Sequence, residues 1–306
     1  MDDSVLSRLQ PVSGRVDAVL DTDTYNEIDD QFALSLMLAC PERINLVGIY
    51  AAPFLNPRSA SPEDGMLKSY AEILKLLDIS GHGDMKTLAY QGSRSYLPDE
   101  RTPVDSPAAR QLVRAALAHT PENPLYVVAI GAITNVASAL LMRPEIAGST
   151  VIVWLGGHAL HWPDTREFNM AQDVAAARVV LKSGAAVVML PCFGCVSEFR
   201  ISEPELKFWF KGKNSLADYL ADGAIEEANS YAPGRPWSRV IWDVCAAAYL
   251  INDDDRFMNS RIIKMPLPGY DFKYSETEFA PVPVRYVWYI HRDRLMEELI
   301  KRITRA

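Results

Sequence analysis

Up to about residue 190, short runs of branched apolar residues alternate with helix-spaced segments. This alternation limits the possible folds more than any other feature of the chain. The strand candidates are 16–20, 46–50, 87–90, 125–130, 151–155 and 186–190. Several are apolar at nearly every position, as in parallel strands covered on both faces. Helical patterns lie between them at 29–39, 63–77, 108–119, 135–141 and 173–182. This order predicts an α/β fold with a doubly wound, mostly parallel sheet flanked by helices and joined by right-handed crossovers.

Beyond residue 200 the rhythm loosens. The spacing predicts helices over 203–211, 215–229, 242–250 and 293–300, strands over 261–265 and 282–289, and a loop at 231–236. No repeat, low-complexity tract or clear linker interrupts the 306 residues, so the expectation is one domain over 1–306 with a helical elaboration at about 200–260. Segments 55–64 and 232–238 are rich in Pro, Ser and Gly and are expected to border a pocket. A net charge of −8 argues against nucleic acid or an anionic membrane as the main partner. No apolar run reaches the roughly 20 residues needed to span a bilayer, and the acidic N-terminus lacks the core of a signal peptide. The chain is therefore expected in the cytoplasm. Its four cysteines form no disulfide framework, and Cys192-x-x-Cys195 reads as two buried or loop thiols.

The densest chemistry follows the first strand candidate. Asp21 and Asp23 fall at its carboxyl end, and Asp29 and Asp30 open the next helix, with Glu27 between. Ligands of open α/β sheets bind at the carboxyl ends of strands. So many carboxylates in ten residues repel one another, and a helix N-terminus offsets only about 1 kcal/mol per charge. A hard divalent cation, which takes six to eight oxygen ligands, compensates better. The plainer alternative is that Asp29 caps the helix and the others are solvated.

This segment resembles the entry motif of the nucleoside hydrolases, the inosine–uridine-preferring N-ribohydrolases: Asp21-Thr-Asp23, a short loop, then Asp29-Asp30. The resemblance continues through the turn from Ala129 to Val136, Trp154-Leu-Gly-Gly157, Glu167-Phe-Asn169, Asp173 and Trp242-Asp243. It implies that Asp23, Asp30 and Asp243 are side-chain ligands of one Ca²⁺, with the Ile130 carbonyl as a backbone ligand. Asp29 is implied as general base and Asp21 as the carboxylate that steadies the site. Glu167, Asn169 and Asn56 are implied to bind sugar hydroxyls. The implied reaction is hydrolysis of the C–N bond of a nucleoside or related N-glycoside through an oxocarbenium-like sugar. The partner would be that small molecule, and a homodimer or homotetramer would be usual.

Three departures mark this chain. The loop 24–28 is two residues longer than the usual spacing and adds Asn26 and Glu27. Trp242 stands where some members have a histidine that protonates the leaving base, so Trp242 or Trp162 is a candidate for stacking on that base. His161 stands where many members have a sugar-binding Asn, and either His158 or His161 could replace the missing acid. A hydrolase of another sugar derivative, or a non-catalytic carbohydrate or nucleoside binder, would also use this scaffold. A phosphotransferase of the haloacid-dehalogenase type also uses Asp-x-Asp after a first strand, but it gives no role to Asp29-Asp30, Glu167 or Asp243.

Overall fold

The computed structural model describes residues 3–305. In chain order the strands are β1 (Val16–Thr22), β2 (Ile44–Ala51), β3 (Ala89–Gln91), β4 (Leu125–Ala129), β5 (Thr150–Leu155), β6 (Ala186–Leu190), β7 (Arg200–Ser202), β8 (Ser238–Val240), β9 (Met258–Ile263), β10 (Pro266–Pro268), β11 (Tyr274–Phe279) and β12 (Val284–Ile290). Eight of them build the central sheet in the order β3-β2-β1-β4-β5-β6-β12-β9. Every pairing is parallel except the edge pair β12–β9.

The all-apolar strands form because both faces of the sheet are covered. Along β1, Ala18 and Leu20 enter one core layer and Val19 enters the other. In β4, Val128 and Val127 divide in the same way, as do Val153 and Ile152 in β5. A side chain pointing to either face therefore leaves water, at roughly 25 cal/mol per Å² of apolar surface buried. Flanking helices begin where their caps predict. Ser61 accepts the Asp64 N–H before the helix Pro62–Ile79, and Ser106 accepts the Ala109 N–H before Pro107–Leu117.

The helix Asp29–Leu38 is buried along its whole length, under the helices Val244–Tyr249, Ser215–Tyr231 and Arg292–Thr304. Its burial explains an acidic start that never reaches bulk solvent. The strand order reverses between β1 and β4, which makes the gap beyond their carboxyl ends the switch point where open sheets bind ligands.

The second half departs from its sequence pattern. The helix expected over 203–211 is a single α-turn, Glu203–Glu205, that widens into a π-helical turn at Leu206–Phe210. The strand expected at 261–265 forms three residues earlier, as β9. The hairpin β10–β11 has no counterpart in the sequence reading, because β11 (YSETEF) is largely exposed and carries no alternating apolar signal. In the first half the one notable shift is at 87–90, where a 3₁₀ turn, Gly83–Leu88, runs up to β3. Among the described residues no helix is long and apolar enough to cross a membrane.

Candidate active site

The switch point is floored by carboxylates. Asp21 is fully buried on β1, where Asn135 Nδ2 donates to its Oδ1 at 2.7 Å. Asn135 is itself fixed, because its Oδ1 accepts from the Ser93 N–H (2.7 Å) and the Ser93 hydroxyl (2.8 Å). Burial pushes the Asp21 carboxyl up to about 7 against that hydrogen bond. Asp23 follows, and both its buried carboxylate oxygens lack a hydrogen-bond partner. The Thr22 hydroxyl donates to Asp30. Asp243 arrives from the distant 240s as the N-cap of Val244–Tyr249, but its carboxylate is not used to cap that helix.

Carboxylate oxygens of Asp29, Asp30 and Asp243 lie within 4.8 Å of one another. Asp23 borders the same cavity and raises the proton affinity of Asp243 by direct repulsion. Burial is the largest cause of the upward shift of Asp23, Asp29, Asp30 and Asp243; repulsion from neighbouring aspartates adds to it for Asp23, Asp29 and Asp243, and repulsion from Glu27 adds to it for Asp30. Asp30, further held by Thr22 and Asp243, stands at about 7.

A cluster of hard oxygen donors in which both buried oxygens of Asp23 are unpaired fits a divalent cation. Gly131 keeps the floor open. A Cβ there would sit 2.9 Å from the Ala52 Cβ and 3.2 Å from the Asp23 carboxyl carbon. Ile130 also lines the cavity.

The cavity above this floor measures about 250 Å³ and is bordered by Asn56, Glu167, Asn169 and Trp242. All three of the polar ones are already engaged. Glu167 caps the short helix Phe168–Gln172, taking the Asn169 N–H on Oε1 and the Met170 and Gly157 N–H groups on Oε2. Asn169 Nδ2 donates to the Ile130 carbonyl at 3.0 Å and to the Leu155 carbonyl at 3.1 Å. Asn56 Nδ2 donates to Asn26 Oδ1 at 2.6 Å, so the longer loop reaches the cavity wall. Segment 55–64 borders the cavity through Asn56, whereas no residue of 232–238 lines it.

Residues 18–286 match the family model described as "Inosine-uridine preferring nucleoside hydrolase". The chain belongs to this family. It is 30% identical over 185 residues to the non-specific ribonucleoside hydrolase RihC of Escherichia coli, covering 57% of this chain and 55% of the relative. It is 30% identical over 194 residues to RihC of Salmonella paratyphi B, covering 61% and 59%. The alignments thus span little more than half the length of these curated relatives.

Among solved structures, the chain resembles a plant nucleoside hydrolase, PpNRh1, with a TM-score of 0.72 at 17% identity, covering 95% of this chain and 99% of the other. It also resembles a purine-preferring ribonucleoside hydrolase from Gardnerella vaginalis, with a TM-score of 0.69 at 22% identity, covering 94% and 98%. At such identities the structures establish the shared fold.

The sequence motifs bring Asp21, Asp23, Asp29, Asp30, Ile130, Glu167, Asn169 and Asp243 to one place, with Asn56 and Trp242 at its wall. They do not bring His161. That side chain is exposed, lies against Gly194 and does not line the cavity, whereas His158 is buried and does. The segment leaves β5 through Gly157, whose φ of +68° suits glycine and where a Cβ would meet the Tyr274 hydroxyl at 2.6 Å.

The sequence reading missed the cation beside the base candidate. Arg239 on β8 is buried and reaches Glu27 (3.1 Å), Glu227 (3.2 Å) and Asp29 (3.6 Å). Only the unusual Glu27 in the lengthened loop hinted at such a partner. Phe193 was also missed. It stacks on Trp162 (centroids 5.4 Å, planes 17° apart) and meets Trp242 edge-on at 5.4 Å, an aromatic collar in which Phe193 and Trp242 line the cavity and Trp162 backs Phe193 without lining it. Cys192 and Cys195 are buried free thiols. Burial pushes both up, well away from a reactive thiolate.

Proposed function

We propose that this chain hydrolyses the N-glycosidic bond of a nucleoside or related N-glycoside, using one divalent cation, Ca²⁺, held by Asp23, Asp30, Asp243 and the Ile130 carbonyl. The observation that carries this reading is the convergence of buried carboxylates from β1, the helix Asp29–Leu38 and the 240s, with oxygens left unpaired, at the switch point of the sheet. Hard oxygen donors that include a backbone carbonyl suit Ca²⁺. The ion would supply Lewis acidity to a water and to vicinal sugar hydroxyls.

The residues divide the remaining work. Asp29, beside the same ion-binding space, takes the proton of the attacking water, with Arg239 holding its carboxylate in place. Asn56, Glu167 and Asn169 face the sugar. The backbone bonds of Glu167 and the carbonyl bonds of Asn169 fix these side chains, so little ordering remains when a hydroxyl binds. Asp21 and Asn135 brace the floor from beneath. The concentrated negative charge favours a sugar with oxocarbenium character over its neutral ground state. Trp242 and Phe193 offer apolar surface to a planar leaving group, with Trp162 stacked on Phe193.

The test is release of free sugar from a panel of nucleosides and glycosylamines, before and after chelation. Asp29→Asn is expected to keep the ion and lose turnover. If Asp23→Asn gives that pattern instead, the roles of the two carboxylates are exchanged.

A second reading, hydrolysis of another sugar derivative on the same floor, is favoured by one feature. The lengthened loop brings Asn26 and Glu27 into the cavity. Cleavage confined to substrates with a non-ribose sugar would establish it. Four buried, unpaired cysteines suit a reducing compartment, in keeping with a cytoplasmic protein.

A further inference from the structure

The aromatic collar holds a polar group that the mechanism above does not use. His158 is 5% exposed and lines the cavity. Its ring lies 4.9 Å from that of Phe193 and 6.0 Å from that of Trp162, so its plane is fixed by packing on two sides. Its Nδ1 accepts the Phe193 backbone N–H at 3.3 Å. A neutral imidazole with Nδ1 as acceptor carries its proton on Nε2. Among the described residues Nε2 has no hydrogen-bond partner and is not one of the fully enclosed unpaired atoms, which leaves it free to donate in a residue that lines the cavity. Burial draws the imidazole below its usual value against the opposing pull of Asp164, which keeps it neutral at pH 7.

The two ends of the cavity differ in chemistry. The carboxylate floor matches a polyhydroxylated, cation-like sugar, and the collar matches a flat, weakly polar heterocycle. An N–H donor in the collar therefore faces the part of the substrate that gains negative charge as the bond breaks.

We propose that His158 donates a hydrogen bond from Nε2 to the departing base and stabilises it as it leaves. The assignment rests on the N-glycoside reading above. As the sugar C1′–N bond breaks, its electron pair stays on the base nitrogen. The water oxygen bonds to C1′, and the water proton passes to Asp29. The base leaves as a hydrogen-bonded anion and takes its proton from solvent at the open rim, where Trp162 and Phe193 are each 40% exposed. Asp29 then returns its proton to solvent. His158 stays neutral throughout, because protonating Nδ1 would break its bond to Phe193.

Leaving-group dependence tests this. Wild type, His158→Phe and His158→Gln are compared on inosine, uridine and 4-nitrophenyl β-ribofuranoside, whose phenolate needs no help to depart. His158→Phe keeps the collar filled but removes the donor. It is expected to lower kcat on the nucleosides by about 10²- to 10³-fold, the usual effect of deleting one donor aimed at developing charge. The nitrophenyl riboside should be cleaved at nearly the wild-type rate, which also shows that the variant is folded. His158→Gln, with its side-chain N–H, should recover part of the nucleoside rate. Equal losses on all substrates, or none, would overturn the role of His158 alone. A wild-type protein inert toward every riboside would overturn the hydrolase reading and this assignment with it.

Discussion

The sheet through β6 and the region from residue 200 onward contribute to one site in different ways. In the first region, strand and helix patterns, caps and the acidic cluster follow from local sequence. Asp21, Asp23, Asp29 and Asp30 are close in space because they are close in the chain. In the second, Asp243 and Arg239 reach the same floor from a three-residue strand and a helix N-terminus whose surroundings have no regular pattern. The parallel sheet provides the switch point, and the irregular region delivers the final carboxylate and the cation that balances it.

The sharpest way to break this comparison is to remove one carboxylate from each region. Asp30→Ala and Asp243→Ala should both abolish Ca²⁺ binding in calorimetry and lower turnover by about 10³-fold or more, if ion binding requires the whole donor set. Loss in one variant but not the other would show that the two regions do not share an ion.

Next in size is Arg239→Met. It leaves Asp29, Glu27 and Glu227 without their buried cation, and breaking a buried ion cluster in this way costs about 3–5 kcal/mol. Urea unfolding should show that loss. A cost near zero would mean that the second region is not tied to the base through this residue.

A smaller effect is expected from Arg178→Met. The Arg178 side chain joins Glu100 of the first region (2.6 Å) to the Pro268 carbonyl (2.9 Å) and Glu278 of the β10–β11 hairpin. A loss of about 1–3 kcal/mol is expected, with activity largely kept.

The mildest effect is a pH dependence confined to metal-free protein. Asp21 and Asp30, raised from 3.8 to about 7, bind protons in the folded state that the unfolded chain has already released. Their contribution to stability is therefore greatest at low pH and is lost as pH rises from about 4 through about 7. Thermal melts in chelator should give a higher Tm at pH 5.5 than at pH 8, and excess Ca²⁺ should remove the difference. A flat profile in chelator would contradict the burial that raises these two carboxyls.

What could be read in advance follows the same division. The six strands through 190 were legible because burial on both faces demands apolar side chains at successive positions, and only the weak 3₁₀ lead into β3 blurred one boundary. The floor was legible from charge density, and Asp243 only through the Trp-Asp pair that resembles the family. Arg239 was not legible, because nothing beside it in the chain records Glu27, Glu227 or Asp29, its partners in space. His158 and His161 could not be separated by sequence. They are three residues apart, and only the fold shows that His158 lines the cavity while His161 is exposed beside Gly194. The hairpin β10–β11 was silent because exposed strands need no apolar alternation.

The central claim is that carboxylates from both regions bind one ion that supports N-glycoside hydrolysis. Its most direct test is sugar release from inosine and uridine by the same sample as purified, after exhaustive chelation, and after Ca²⁺ is restored. The account predicts turnover that disappears with the ion and returns with it. Unchanged cleavage in chelator would contradict it, as would the absence of any N-glycoside cleavage by Ca²⁺-loaded protein.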